Sequence, residues 1–317
     1  MSVRSTLTRS SMLIAAGLAA ALTLSACGSS SDPLATSSTA SAAASGSGSA
    51  SGGSIVIGSA NFPESALIAN IYAAALKAKG ADVSTNLNIG SREVYLKALQ
   101  DGSIDLIPEY SGNLLQYFDP TATAVSSDDV YTALVAKTPS GLKVLTKSAA
   151  EDKDAVVVTK ATADANNLKS IADLAPVAST FVLGGPPEWA TRPTGVPGLK
   201  EKYGLTFKEF KALDAGGPLT LGALTSDQIQ AGNLFTTDPS ILANNLVVLE
   251  DPKNLFAAQN VLPLINAAKS TPQVQTALDA VSAKLDTATL TELLTKVQVD
   301  KEDSAQVAQE WVAANLQ

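Results

Sequence analysis

The chain has 317 residues, room for about two globular units at roughly 100–200 residues each, and its 45% apolar against 16% charged residues exclude a wholly disordered protein. With 22 Lys and Arg against 30 Asp and Glu the formal charge is −8, there is no histidine, and Cys27 is the single cysteine. An acidic chain is a poor partner for nucleic-acid phosphates, and this composition excludes His/Cys zinc centres, His-dependent triads and any internal disulfide.

The first 26 residues read as a secretory signal. Arg4 and Arg9 form a basic start, Met12 to Leu24 is apolar, and Leu24-Ser25-Ala26-Cys27 closes it. The apolar stretch is about 13 residues long where a bilayer core needs about 20, which fits a cleaved segment better than a permanent span. Residues 28–53 are mostly Ser, Ala, Gly and Thr, a composition that buries too little apolar area to offset chain ordering and so predicts a flexible linker spanning about 25–30 Å on average.

Beyond the linker the pattern alternates. Ser54 to Gly58 predicts a strand, Ala66 to Lys79 a helix capped by Asn61 with Pro63 in its first turn, Asp82 to Leu87 a strand, Ser91 to Gln100 a helix and Ile104 to Ile107 a strand. This βαβαβ order predicts a parallel sheet. A second set begins with a strand at Asp154 to Thr159. A helix near Ser170 to Leu174, a strand at Thr180 to Leu183, a helix near Leu199 to Tyr203 and a strand at Phe207 to Leu213 follow. Pro218 to Leu224 reads as helical, Gln228 to Phe235 and Leu246 to Leu249 as strands, and Thr271–Lys284, Thr287–Val297 and Ser304–Leu316 as helices. The fold class is α/β with two lobes.

The segments Ile57-Gly-Ser-Ala-Asn-Phe-Pro-Glu-Ser65, Gly90-Ser-Arg-Glu-Val94, Ile104-Asp-Leu-Ile-Pro-Glu-Tyr-Ser-Gly112, Phe181 to Gly195, Gly198 to Gly204, Asn233-Leu-Phe-Thr-Thr-Asp-Pro239 and Val248 to Pro252 occur in one order over roughly residues 54–300. Together they resemble the glycine betaine/choline-type osmoprotectant-binding proteins of ABC importers. Leu-Ser-Ala-Cys27 likewise resembles a bacterial lipobox, which implies a lipidated Cys27; an ordinary buried thiol is the alternative. The resemblance implies a type II periplasmic-binding-protein fold with a two-strand hinge and an interlobe cleft. It divides the chain into a signal peptide (1–26), lipidated cysteine and linker (27–53), lobe 1 (54–153 plus 256–317) and lobe 2 (154–255).

It also implies a site in which tyrosine faces enclose a quaternary ammonium group, each face worth about 0.5–2 kcal/mol. Tyr110 matches a box position, with a half-buried strand-end tyrosine as the alternative. Phe235 matches another, without the hydroxyl and with core packing as the alternative. Ala155 and Gln259-Asn260 stand where further aromatics are expected, so Phe62 or Trp189 must complete the enclosure, or Asn260, Gln259 and Asn113 supply amide hydrogen bonds to a bulkier zwitterion. Arg192 matches the position that grips a ligand carboxylate; a surface arginine is the alternative. Asn61 in the first loop and Thr236 beside Phe235 complete the candidate set. Arg92 is read as ligand-facing or as the partner of Glu93 or Glu109, and Glu64, Glu109, Glu188 and Asp238 as acids near the cleft.

No G-x-G-x-x-G or P-loop pattern appears, so no nucleotide is expected on this chain; no metal or other cofactor is expected either. The expected function is non-enzymatic: an extracytoplasmic, membrane-tethered, monomeric receptor that binds a small zwitterionic or quaternary ammonium ligand and passes it to an ABC permease. A ligand-sensing lipoprotein using the same cleft is the alternative.

Overall fold

The computed structural model describes residues 53–316; Cys27, the signal segment and the linker up to residue 52 lie outside the described residues. The strands are β1 (Ile55–Gly58), β2 (Val83–Asn86), β3 (Leu106–Tyr110), β4 (Leu142–Val144), β5 (Asp154–Thr159), β6 (Val182–Gly185), β7 (Glu209–Ala212), β8 (Ala231–Phe235), β9 (Leu246–Val248) and β10 (Val261–Asn266). The helices are α1 (Pro63–Ala78), α2 (Arg92–Gln100), α3 (Ser111–Phe118), α4 (Ser127–Lys137), α5 (Lys160–Asn166), α6 (Val196–Tyr203), α7 (Pro218–Thr225), α8 (Ser240–Ala243), α9 (Pro272–Ser282), α10 (Thr287–Gln298) and α11 (Ser304–Asn315).

Two five-stranded sheets result, ordered β2-β1-β3-β10-β4 and β7-β6-β8-β5-β9. The predicted parallel unit is present in β1, β2 and β3, but the sheet is mixed because β10 inserts antiparallel to β3 and β4. The second sheet repeats the arrangement, with β5 antiparallel to β8 and β9. The two inserted strands are those that follow the two crossings between sheets. Between the crossings Glu151 bridges Asn260, and the Asp152 amide donates to the Gln259 carbonyl at 3.1 Å. This pair of antiparallel segments is the hinge.

Strand β3 starts two residues later than the spacing predicts and ends three later, on Tyr110 rather than Ile107. Its register places Pro108 opposite Pro263, which suits a pair whose amide positions point away from each other. The Ser170 to Leu174 helix is a short 3-10 turn, Ile171–Leu174. Helix α1 begins at Phe62 as its cap and not at Asn61, with Pro63 in its first turn as expected. Ser65 Oγ accepts from the Ala60 amide at 2.9 Å instead, folding the loop back on the helix start.

Apolar faces at helical spacing set the packing. Leu67, Ile71, Leu278, Val281, Leu290, Leu294 and Trp311 form one core on a face of the first sheet, beneath α1 and the three C-terminal helices. Leu96, Leu99, Leu114, Leu115, Val130 and Leu134 cover the other face. Burying each leucine contributes about 1.5–3 kcal/mol. The second sheet is covered by Val156, Leu183, Trp189, Leu199 and Phe256 on one side and by Val157, Leu224, Ile229 and Leu234 on the other. Both sheets direct strand ends and their following loops at the space between them.

Candidate functional site

A cleft with about 530 Å³ of empty space, part of it open to solvent, lies at that junction. Its first wall is Asn61 and Phe62 from the loop after β1, Arg92 and Tyr95 on α2, Tyr110 at the end of β3 and Asn113 in α3. Asp152 and Asp154 come from the hinge, and Glu188, Arg192, Asn233 and Phe235 from the second sheet. Ligand clefts at the carboxyl ends of parallel strands are the expected place in open α/β sheets.

Three rings converge from both lobes. Phe62 lies 5.9 Å from Tyr110 and 5.1 Å from Phe235, centroid to centroid, with interplanar angles of 38° and 32°. Such faces attract a cation that offers no hydrogen-bond donor. Beside them the Asp154 carboxylate accepts from Asn113 Nδ2 at 2.8 Å and from Asn233 Nδ2 at 3.0 Å, one donor from each lobe. Those two amides fix its orientation, so the enclosure joins apolar faces to an anchored negative charge.

Behind the rings lies a second acidic group. Tyr110 donates from its hydroxyl to Glu64 Oε1 at 2.7 Å, and Thr237 donates to Glu64 Oε2 from the opposite lobe. Asp152 Oδ1 accepts from the Thr237 amide at 3.1 Å and from Thr236 Oγ1 at 3.2 Å. Burial pushes the Glu64 carboxyl above its ordinary range, and burial with the neighbouring Glu64 pushes Asp152 well above it. Burial, reinforced by Glu64, likewise raises the Tyr110 hydroxyl. Two neighbouring carboxyls this deeply buried disfavour being charged together and favour holding one proton between them.

The guanidinium groups of the cleft are both engaged. Arg92 donates from Nε and Nη2 to Glu109 at 2.9 and 2.8 Å, and Tyr95 donates to the same carboxylate at 2.8 Å. Glu109 is fully buried, so of the two alternatives for Arg92 the structure supplies the Glu109 partner. Arg192 reaches across the cleft, donating from Nε and Nη2 to Glu93 at 3.1 and 3.0 Å, with Glu188 3.7 Å from the same Nη2. Partial burial acts to raise the Glu93 carboxyl, but hydrogen bonds from Arg192 and Ser91 outweigh it and hold it at about 2.

Of the sequence-predicted residues, the cleft brings together Asn61, Phe62, Tyr110, Asn113, Arg192 and Phe235. Thr236 and Asn260 do not line it. Thr236 Oγ1 is held between Asp152 and the Lys153 amide. Asn260 is buried in the hinge, where Oδ1 accepts from Ser127 at 2.5 Å and Nδ2 donates to the Ser148 carbonyl at 3.1 Å. Gln259 accepts from the Asn113 amide at 2.9 Å. Trp189 is also unavailable as a box ring: it is 1% exposed and stacks on Phe256 at 6.2 Å. Ala155 faces the lobe core. Asp152, Asp154, Asn233 and Tyr95 were missed. Asp154 carried a signal, a carboxylate opening an otherwise apolar strand. Among the described residues no cluster of three or more acids, His or Cys is arranged to hold a metal, and no helix is long and apolar enough to cross a membrane.

The glycine-betaine-binding protein of Pseudomonas aeruginosa is 27% identical over 270 residues, covering 81% of this chain and 86% of the relative. The glycine betaine-binding protein YehZ of Escherichia coli is 27% identical over 272 residues, covering 81% and 89%. A crystal structure described as a glycine betaine/carnitine/choline ABC transporter superposes with a TM-score of 0.65 at 22% identity, over 82% of this chain and 98% of that one, and so shares the fold. Residues 53–314 match the family OpuAC, and the chain therefore belongs to the substrate-binding domains of ABC-type glycine betaine transport systems.

Proposed function

We propose that the cleft binds a small quaternary ammonium compound of the glycine betaine or choline type, and that the loaded protein delivers it to an ABC permease. The observation that carries this is the meeting of Phe62, Tyr110 and Phe235 beside the anchored Asp154 carboxylate. Ring faces and one fixed negative charge complement a methylated cation, whose positive charge is spread over methyl groups without donors. The family is one of solute-binding components and not of enzymes, and its place in an importer is outside the cytoplasm.

In this reading residues 54–153 with 256–317 move as one lobe and 154–255 as the other, rotating about the segments that bridge Glu151 to Asn260. Ligand favours the closed arrangement by its differential affinity for that state. The protein acts as a monomer, tethered through lipid on Cys27. The test is calorimetric titration with glycine betaine, choline, carnitine and proline betaine: saturable heat with at least one supports the assignment, and no heat with any of them removes it. Palmitate labelling tests the tether, since label retained in Cys27→Ser contradicts it.

A further inference from the structure

We propose that Glu93 is a specificity-determining residue of the cleft: it occupies the Arg192 guanidinium from the opposing lobe as a built-in stand-in for a ligand carboxylate, so the cleft prefers a quaternary ammonium ligand without a carboxylate. The inference rests on the ligand class proposed above and adds which member of it binds better and why.

The argument begins with the donors. Arg192 presents its Nε and Nη2 edge, the edge that matches a carboxylate bidentately, and both atoms already meet Glu93 oxygens at 3.1 and 3.0 Å. Arg92 is matched in the same way by Glu109. Both guanidinium groups of the cleft thus have their Nε/Nη2 edge taken, which leaves an incoming anion only the Nη1 side. The remaining titratable side chains there, apart from the tyrosines, are Asp152, Asp154 and Glu188, all acids. A zwitterion therefore meets an acceptor-rich, anionic surround at its negative end, unless Glu93 gives way.

Glu93 can give way. Its side chain is 43% exposed, against 22% for Arg192, and exposed ion pairs are weak enough to be exchanged. It also lines a second pocket, with about 630 Å³ of empty space partly open to solvent, shared with Arg92, Asn113, Tyr117 and Arg192. Arg192 lines both the ring-walled cleft and this second pocket, and Glu93 lines the second, which has room for the displaced carboxylate. A carboxylated ligand exchanges one ion pair for another and loses the interlobe contact; a carboxylate-free cation leaves that contact intact, closing the lobes behind it.

The test is calorimetry with choline and glycine betaine on the full chain, wild type and Glu93→Gln, with Glu93→Asp as the charge-retaining control and circular dichroism to confirm that each variant folds. Wild type is expected to bind choline more tightly. Glu93→Gln frees Arg192 for the ligand, so the affinity ratio moves about tenfold toward glycine betaine, a difference of about 1.4 kcal/mol, while Glu93→Asp stays near wild type. An equal change in both affinities, no change, or a shift toward choline overturns the proposal. If wild type binds neither compound, the ligand class itself falls and the proposal with it; binding of both with an unmoved ratio leaves the ligand class standing and removes only the role of Glu93.

Discussion

Glu64 at the start of α1 accepts a hydrogen bond from Thr237 of the opposite lobe. The contact ties two walls of the cleft through a carboxyl that also receives Tyr110 and lies against Asp152, with Asp238 adding its charge nearby. Because the carboxyls of Glu64 and Asp152 are raised by burial, the folded chain holds protons there more tightly than the unfolded chain does. Their contribution to stability is complete below the ordinary carboxylate value of about 4 and is lost as pH rises through the raised folded values. The melting temperature of wild type is therefore expected to fall with rising pH on that account. Glu64→Gln, whose amide can donate to Asp152 in place of the shared proton, should flatten the dependence; an unchanged slope across the same series contradicts the shared proton.

Glu93 gives the opposite sign. Its folded carboxyl sits at about 2, below the ordinary value, so the stability of its pair with Arg192 is present above about pH 4.5 and lost as pH falls toward 2. Acid melts of wild type and Arg192→Gln should converge in that window and separate above it.

Tyr110→Phe keeps the ring and removes the donor to Glu64. A buried oxygen without its partner costs about 1–3 kcal/mol, measurable by urea unfolding. Phe235→Ala, by contrast, acts chiefly on binding: removing one ring face weakens cation affinity by about 0.5–2 kcal/mol, or roughly 2–30-fold. A Phe235→Ala protein that binds choline as tightly as wild type contradicts the ring enclosure.

The buried pair of Arg92 and Glu109 offers a larger effect. Glu109→Ala leaves the Arg92 charge without its partner and the Tyr95 hydroxyl without its acceptor. Destabilisation of about 3–5 kcal/mol is expected by urea unfolding, against a much smaller change for the exposed pair of Lys160 and Asp164.

Gly195 is required by close approach. A Cβ there would lie 2.0 Å from the Trp189 carbonyl oxygen, a backbone atom that cannot swing aside. Gly195→Ala is expected to displace the turn carrying Arg192, lowering both the melting temperature and the affinity for carboxylated ligands. Equal ligand binding by this variant and wild type would show that the turn does not position Arg192.

Much of the fold was legible because apolar residues recur at helix and strand spacing. The strand at Asp154–Thr159 occurs at its predicted bounds, and the three C-terminal helices fall within a residue or two of theirs. Strand β10 was not legible, since Pro263 sits in its middle and a lone proline demotes a strand unless its partner is known. Helices α3 and α4 were not legible either, α3 starting directly from a strand end with Gly112 in its first turn. Within the cleft, motif positions identified Tyr110, Phe235 and Arg192. The partners of Arg192 and Asp154 depend on which loops the hinge brings together, and no local spacing encodes a contact between residues 93 and 192.

Helix α11 packs against α1, the first helix of the sheet it covers. The apolar face of α1 is thus sealed by a helix, Ser304–Asn315, that lies far from it in the sequence. A long intervening chain must close before so distant a contact forms, so this seal carries a loop-closure cost that the contacts between neighbouring elements do not.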